Sequence, residues 1–533
     1  MKFNHKKNRI RFCKWPWSHF RIVATVSLIV FLLLNSCKKK DPEGDQIDYN
    51  KKQVISNLDS IYLYAKQIYL WNTQLPSIEQ FNPQKIYQPG TEGLALYKKE
   101  IFELSRFALN PKTNISYEYN VLYPLLPKFS TILEDITSEY EKNKRQALYL
   151  TESNPFGLSF YQDDVETRIL YTDLNSPAGK SGLKRGDRIT AINDKVVASP
   201  KAFLSEWKVA IKNSYIKLSI LDNLGKVRQV RLTNSFYEIN PLLKHSVIDL
   251  NTRKIGYIAY NSFTDEINSR KYLEPILQDF NYQGISELII DLRYNTGGFE
   301  NTVVYLANQI CEQRLNGKVM FTEHYNQMMQ EGKADILSNQ LLRGNDNEPI
   351  YINGRPATLN DIDYSTKANT VLFEKHDGPT NIKRIYFIIS EQTASASELL
   401  ISILKPYIDV KLIGVSLEGR GAVRTYGKPV GFFDITINKY KMFMAMYQTK
   451  NAIGDGDYFE GFLADNAVID DPKHDFGSSD DPAMKLILNK NQNKVSLLMN
   501  SNKGQQSMLK YIFNQDRLSG SVKVITDFSF KKK

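Results

Sequence analysis

Two short segments of this 533-residue chain place reactive or charge-stabilising groups where local structure would present them. In Ile385-Tyr386-Phe387-Ile388-Ile389-Ser390-Glu391-Gln392-Thr393-Ala394-Ser395-Ala396-Ser397-Glu398, a strand pattern runs into a turn of small residues and then a helix pattern. A serine at such a helix start has an exposed hydroxyl, a positive dipole end beside it and free amides nearby. Taken alone, Ser395 or Ser397 is better explained as an N-cap. The second segment, Asp291-Leu292-Arg293-Tyr294-Asn295-Thr296-Gly297-Gly298, follows another apolar run. Adjacent glycines at a strand end let amide N–H groups converge on a small anion such as a developing oxyanion, although a Gly-Gly turn is ordinary by itself.

The elements that must position these groups belong to an α/β pattern. After about residue 240, the runs 254–260, 287–292, 385–390 and 410–414 read as strands, with helical stretches at 302–311 and 395–404. Continuous apolar strands separated by helices predict an α/β core with a mixed buried sheet. Residues 53–150 carry helical spacing (Val54, Leu58, Ile61, Ile68, Leu96, Ile101, Leu104) and predict a small N-terminal helical domain. Residues 153–237 change to short β-like runs broken by Gly, Pro, Asn and Asp. Within them, Leu174-Asn175-Ser176-Pro177-Ala178-Gly179 leads through Gly182 and Gly186-Asp187 to Ile189-Thr190-Ala191-Ile192-Asn193. This predicts a strand, a capped short helix, a turn and a strand.

The order and spacing in 153–237 resemble a PDZ domain, and Phe156-Gly157-Leu158-Ser159-Phe160 is similar to that family's carboxylate-binding loop. The resemblance implies a site where a peptide chain end adds a strand to a sheet edge. Taken together, residues 153–470 resemble the C-terminal-processing, or tail-specific, serine peptidases, especially lipoprotein members of the Bacteroidetes type. That resemblance implies Ser395 as nucleophile, ahead of Ser397. It also implies an oxyanion hole from the Ala396 amide with Gly297 and Gly298.

In that family the base is a lysine, and here the sequence departs from the usual pattern. The commonest spacing from Ser395 falls on Arg420, whereas Lys428, in Thr425-Tyr426-Gly427-Lys428-Pro429-Val430-Gly431, fits the lysine motif better. A general base must be neutral part of the time. Burial can lower lysine from ~10.4 by as much as 3–5 units, but arginine stays charged. We therefore expect Lys428 as base, with the 415–427 segment folding outward as a longer loop. Gly454-Asp455-Gly456-Asp457-Tyr458 and Gly461-Phe462-Leu463-Ala464-Asp465 resemble later family motifs and are expected to complete the cleft.

The implied activity is serine-type endopeptidase hydrolysis of protein or peptide substrates met through C-terminal or unfolded segments, with no metal or organic cofactor. The alternative is an inactive peptide-binding lipoprotein on the same scaffold. Gly179-Lys180-Ser181 imitates the end of a phosphate-binding loop, but Leu174 stands where that loop needs glycine. The histidines His245, His324, His376 and His474 are scattered without paired-ligand spacing, and His324 would be the first candidate for a triad assembled from distant residues.

The formal net charge of +11 is concentrated at the start of the chain, where residues 1–36 carry seven basic groups and no acid. Without them, 62 basic residues face 58 acidic ones, which is no nucleic-acid footprint. The basic start precedes an apolar run, Ile22 to Leu34, that is short for a membrane span and ends at Leu34-Asn35-Ser36-Cys37. This resembles a lipoprotein signal (1–36) with lipidation at Cys37, and implies a chain anchored in the bacterial envelope, with the outer membrane expected. The remaining expected divisions are a tether over 37–52, the peptidase core over 240–490 and a C-terminal extension over 491–533. Cys311 reads as a small buried apolar residue.

Overall fold

The computed structural model describes residues 42–121, 123–135, 154–163, 165–344, 348–417 and 421–489, with two further strands, Lys510–Ile512 and Ser521–Val522. Residues 1–36, Cys37 and Arg420 lie outside the described residues. The chain divides into two units, 1–56 and 57–533. The described part of the first is the opening of the helix Pro42–Ile68.

At the centre of the second unit is a six-stranded sheet. Its order is Asn466–Ile469, Asp409–Ser416, Arg384–Ile389, Glu287–Asp291, Lys254–Tyr260 and Leu242–Asp249. Only the Leu242–Asp249 edge is antiparallel. Glu287–Asp291 is covered on both faces: Leu288 and Ile290 join one apolar core and Ile289 the other. A parallel strand covered on both sides needs apolar residues at successive positions, which is why these segments read as unbroken runs. The helix Ala396–Leu404 is buried along its whole length, in keeping with its apolar sequence.

Residues 158–233 form a separate sheet of short strands. Thr167–Thr172 is followed by the helix Pro177–Lys180, capped by Ser176 Oγ, which accepts the Gly179 N–H at 3.1 Å. Gly182 and Gly186 then take the positive φ expected of them before the strand Arg188–Ile192. The C-terminal extension supplies Lys510–Ile512, antiparallel to Leu158–Gln162, and Ser521–Val522, parallel to Val430–Phe432.

The helical pattern expected over 53–150 stops at Ser105, where the helix Gly93–Ser105 ends. Residues 106–130 are mostly turns, and Thr131–Glu134 is a strand paired with Tyr440–Phe443. Asn110 begins a side-chain turn by accepting the Lys112 N–H, and Pro111, Pro124 and Pro127 prevent helix continuation. Residues 136–150 lie outside the described set.

A buried charge cluster fixes the sheet end from which the glycine loop departs. Arg293 Nε donates to both Asp291 oxygens at 2.9 and 3.0 Å. Its Nη1 reaches Asp470 at 3.0 Å and Asp481 at 2.9 Å. Arg185, from the 158–233 sheet region, donates to Asp470 at 2.6 Å and to the Tyr294 hydroxyl at 2.7 Å. These charges are out of water, so each depends on its partners. Removing one carboxylate leaves two guanidinium groups undercompensated. We predict that Asp470→Ala costs about 3–5 kcal/mol in equilibrium denaturation; a loss below about 1 kcal/mol would show that the cluster does not hold this end together.

Candidate active site

The Ser395 segment and the glycine loop leave neighbouring parallel strands at the same sheet end. Thr393 Oγ1 donates to the Leu292 carbonyl at 2.8 Å, and Ser390 Oγ donates to that of Arg293. The Asn295 carbonyl accepts the Ala394 amide and the Ser397 hydroxyl, each at 3.2 Å. So pinned, Ser395 adopts φ 61°, ψ −113° immediately before the helix. Every other described non-glycine residue at positive φ is Asn or Asp. For serine this geometry costs roughly 1–3 kcal/mol, and it persists only where its surroundings over-determine it. A strained strand-to-helix turn of this kind places a hydroxyl at the end of a sheet. Ser395 is only 1% exposed, however, not open to solvent as its place at a helix start suggests, because the glycine loop packs over it.

Gly297 (φ 111°) packs so closely that a Cβ there would lie 2.9 Å from Ser395 Cβ and 3.2 Å from the Ala396 nitrogen. At Gly298 (φ 144°) a Cβ would collide with the Phe263 carbonyl at 1.9 Å. The Gly297 N–H is donated to Asn295 Oδ1 at 2.9 Å. The glycine loop therefore packs directly against the Ser395–Ala396 turn.

Glu398 joins this turn to the lysine segment. Its Oε2 accepts the backbone N–H of both Ser395 and Lys428, each at 2.8 Å. Its Oε1 accepts the Gly427 amide at 2.6 Å and the Thr425 hydroxyl at 2.5 Å. Burial raises the Glu398 pKa, and these four donors oppose that rise. Lys428 is 2% exposed, with Nζ 4.8 Å from the Phe432 ring centroid. Burial drives its pKa down to about 7, against the pull of the Glu118 and Glu398 carboxylates and with help from repulsion by Lys128. A buried amine whose proton affinity is lowered in this direction is suited to accept a hydroxyl proton.

The Gly461 motif braces the same segment. Thr425 N–H donates to the Phe462 carbonyl at 3.1 Å and Thr425 Oγ1 accepts the Phe462 amide at 2.7 Å. Any Cβ at Gly461 would meet the Thr425 carbonyl at 1.9 Å. Two residues that carry no sequence signal also reach the site. Glu118, fully buried, accepts the hydroxyls of Tyr69 and Ser130 and the amides of Phe129 and Ser130. Lys128 donates to the Phe459 carbonyl at 2.7 Å. Both lie in the turn-rich stretch after Ser105, where no periodicity or motif marks them.

Among the peptide-loop residues, Phe156 and Phe160 are core side chains, and Leu158, Ser159 and Phe160 lie in a buried strand. The amides of Gly157 and Leu158 donate to Asn154 Oδ1 at 3.0 and 3.1 Å, so an incoming carboxylate would have to displace that side chain. His324 shares a 2.8 Å hydrogen bond with Thr322, and burial pushes the Cys311 thiol up to about 11.

The Glu398 carboxylate has acceptor oxygens on both sides, and a carboxamide has only one. We predict that Glu398→Gln lowers stability by about 1–3 kcal/mol and slows covalent labelling of Ser395 by an aryl sulfonyl fluoride at least tenfold. An unaltered melting temperature and labelling rate would contradict the bridging role.

Residues 254–443 match Peptidase family S41, a span that includes the glycine loop, Ser395, Glu398 and Lys428. Among curated proteins, a "Probable CtpA-like serine protease" of Staphylococcus aureus (strain COL) is 25% identical over 356 residues, covering 64% of this chain and 58% of that protein. Its counterpart in Staphylococcus epidermidis is 24% identical over 302 residues, covering 56% and 50%. The chain thus spans about half the length of these relatives. A crystal structure assigned to the S41 proteases, from Bacteroides fragilis NCTC 9343, superposes with a TM-score of 0.51 at 19% identity, covering 80% of this chain and 95% of that one. The fold is therefore that of an S41 protease, and the chain carries a Peptidase family S41 domain over residues 254–443.

Proposed function

We propose that this chain is a serine-type endopeptidase of the C-terminal-processing class, working through Ser395 and Lys428. The observation that carries this is the Glu398 carboxylate, which binds the amides of a strained serine and a buried, readily neutralised lysine through one oxygen. Neutral Lys428 takes the Ser395 proton as the hydroxyl oxygen attacks a peptide carbonyl. The amides of Gly298 and Ala396 receive the charge that forms on the carbonyl oxygen. Protonated Lys428 then gives its proton to the departing amine, leaving an ester on Ser395. Lys428, neutral again, takes a proton from a water that attacks the ester, and returns it to the Ser395 oxygen as the ester bond breaks and the acid leaves.

Residues 153–237 act in this reading as the PDZ-like binder of substrate ends, with 156–160 at the carboxylate, and a peptide adding a strand beside Leu158–Gln162 would take the place of Lys510–Ile512. Residues 1–36 are the export signal, and a lipid on Cys37 tethers the body in the cell envelope, with the outer membrane as the expected site. The rival, an inactive peptide-binding lipoprotein, gains no support from a lysine held out of water with its pKa near 7.

Three measurements test this reading. Ser395→Ala and Lys428→Met should each lower kcat/KM on an unfolded protein substrate by at least ~10³-fold while leaving the fold intact by circular dichroism. Undiminished cleavage by Ser395→Ala would end the peptidase assignment. Because Lys428 works only when deprotonated, kcat/KM should climb as pH rises through about 7 and level off above it; a limb near 10 would contradict a desolvated base. Metabolic labelling with a radioactive fatty acid should mark the chain and disappear in Cys37→Ser, and equal labelling of both would refute the anchor.

A further inference from the structure

The proton affinity of a buried base depends on every charge around it, and one of those charges comes from a stretch of chain with no motif. Lys128 Nζ donates at 2.7 Å to the Phe459 carbonyl. That same carbonyl oxygen lies 2.3 Å from where a Cβ on Gly427 would sit, so the ammonium and the residue preceding Lys428 have the Phe459 carbonyl as a common neighbour. The Lys128 carbonyl accepts the Tyr426 hydroxyl at 3.3 Å, and Lys128 Nζ lies 5.0 Å from the Tyr426 ring centroid. Asn120 donates to the same hydroxyl at 3.2 Å, and the Tyr426 amide donates to the Thr393 carbonyl at 2.9 Å. Lys128 is also tied to Glu118 through the backbone, its amide donating to the Glu118 carbonyl at 3.0 Å.

From this arrangement we infer that Lys128 is a positioning residue for the base: a fixed ammonium beside Gly427 that disfavours a second positive charge on Lys428. The inference rests on the Ser395–Lys428 reading above. The charged groups facing Lys428 are Glu118 and Glu398, which favour its protonation, and Lys128, which opposes it. Lys128 itself faces Glu398 and Glu460, and burial brings it down to about 8. The two carboxylates favour its charged form, and its value stays above that of Lys428. A like charge at close range in a dry site disfavours the protonated form of its neighbour. Removing it should raise the proton affinity of Lys428, so neutral base appears only at higher pH.

The test is the position of the acidic limb of kcat/KM in full-length wild type, Lys128→Met, Lys128→Gln and Lys128→Arg. The same limb is read from the pH dependence of Ser395 labelling by an aryl sulfonyl fluoride, which requires no peptide turnover. Both neutral variants should move the limb upward by about half a pH unit or more, an approximately threefold loss on the limb relative to each variant's own plateau. Lys128→Arg, which keeps the charge, should leave the limb where wild type has it. Limb position is independent of plateau height, so a purely structural role would lower the plateau without moving the limb. A limb that stays put or falls in Lys128→Met and Lys128→Gln overturns the inference while the peptidase reading stands. Cleavage and labelling that survive Ser395→Ala would remove the reading beneath it and the inference with it.

Discussion

One carboxylate holds the candidate site together. Glu398 sits one helical turn after Ser395 and accepts four hydrogen bonds, from the amides of Ser395, Gly427 and Lys428 and from the Thr425 hydroxyl. A carboxylate taken fully out of water is tolerable only when such donors replace the water. Pulling the 425–428 segment away from the helix start would strand three donors and most of a buried charge. The same bond network explains how Ser395 keeps a backbone geometry that serine rarely adopts. Asn295, Thr393 and Ser390 hold the turn from the other side.

The protein treats its buried cations in two opposite ways. Arg293 and Arg185 are matched with Asp291, Asp470 and Asp481 at hydrogen-bond distance, and their pKa values rise above the ordinary arginine range despite burial. Lys428 is buried as deeply, but the attraction of Glu118 and Glu398 falls short of its desolvation, so its pKa drops from 10.5 to about 7. That difference corresponds to about 5 kcal/mol against the charged form. Matched guanidinium groups hold the sheet end, whereas the amine whose burial outweighs its carboxylate neighbours is the proton acceptor of the proposed mechanism. Arginine in place of Lys428 would keep its charge and could not serve.

Much of this was legible in the sequence, for identifiable reasons. The core strands announce themselves because a sheet covered on both faces leaves no polar position to interrupt the run, as at Leu288, Ile289 and Ile290. Gly297 and Gly298 stand out because no side chain fits against Ser395 or the Phe263 carbonyl. Glu398 was visible as part of a string, but its role was not, since three of its four donors lie roughly 30 residues away, brought there only by the fold. Glu118 and Lys128 were invisible for a related reason. They lie among Asn and Pro turn residues, and they gain meaning only because Thr131–Glu134 pairs with Tyr440–Phe443 and carries the preceding turns to the site. The same strand explains why helical spacing misled beyond Ser105.

The claim beneath all of this is that Lys428 carries no proton for much of the time near neutrality. Nitrogen-15 NMR of the lysine side-chain amines, with the Lys428 resonance assigned by its loss in Lys428→Met, titrates that group directly and without any substrate. The account predicts a midpoint near 7 for this resonance while surface lysines titrate in their usual range. A Lys428 midpoint in that same surface range would contradict it.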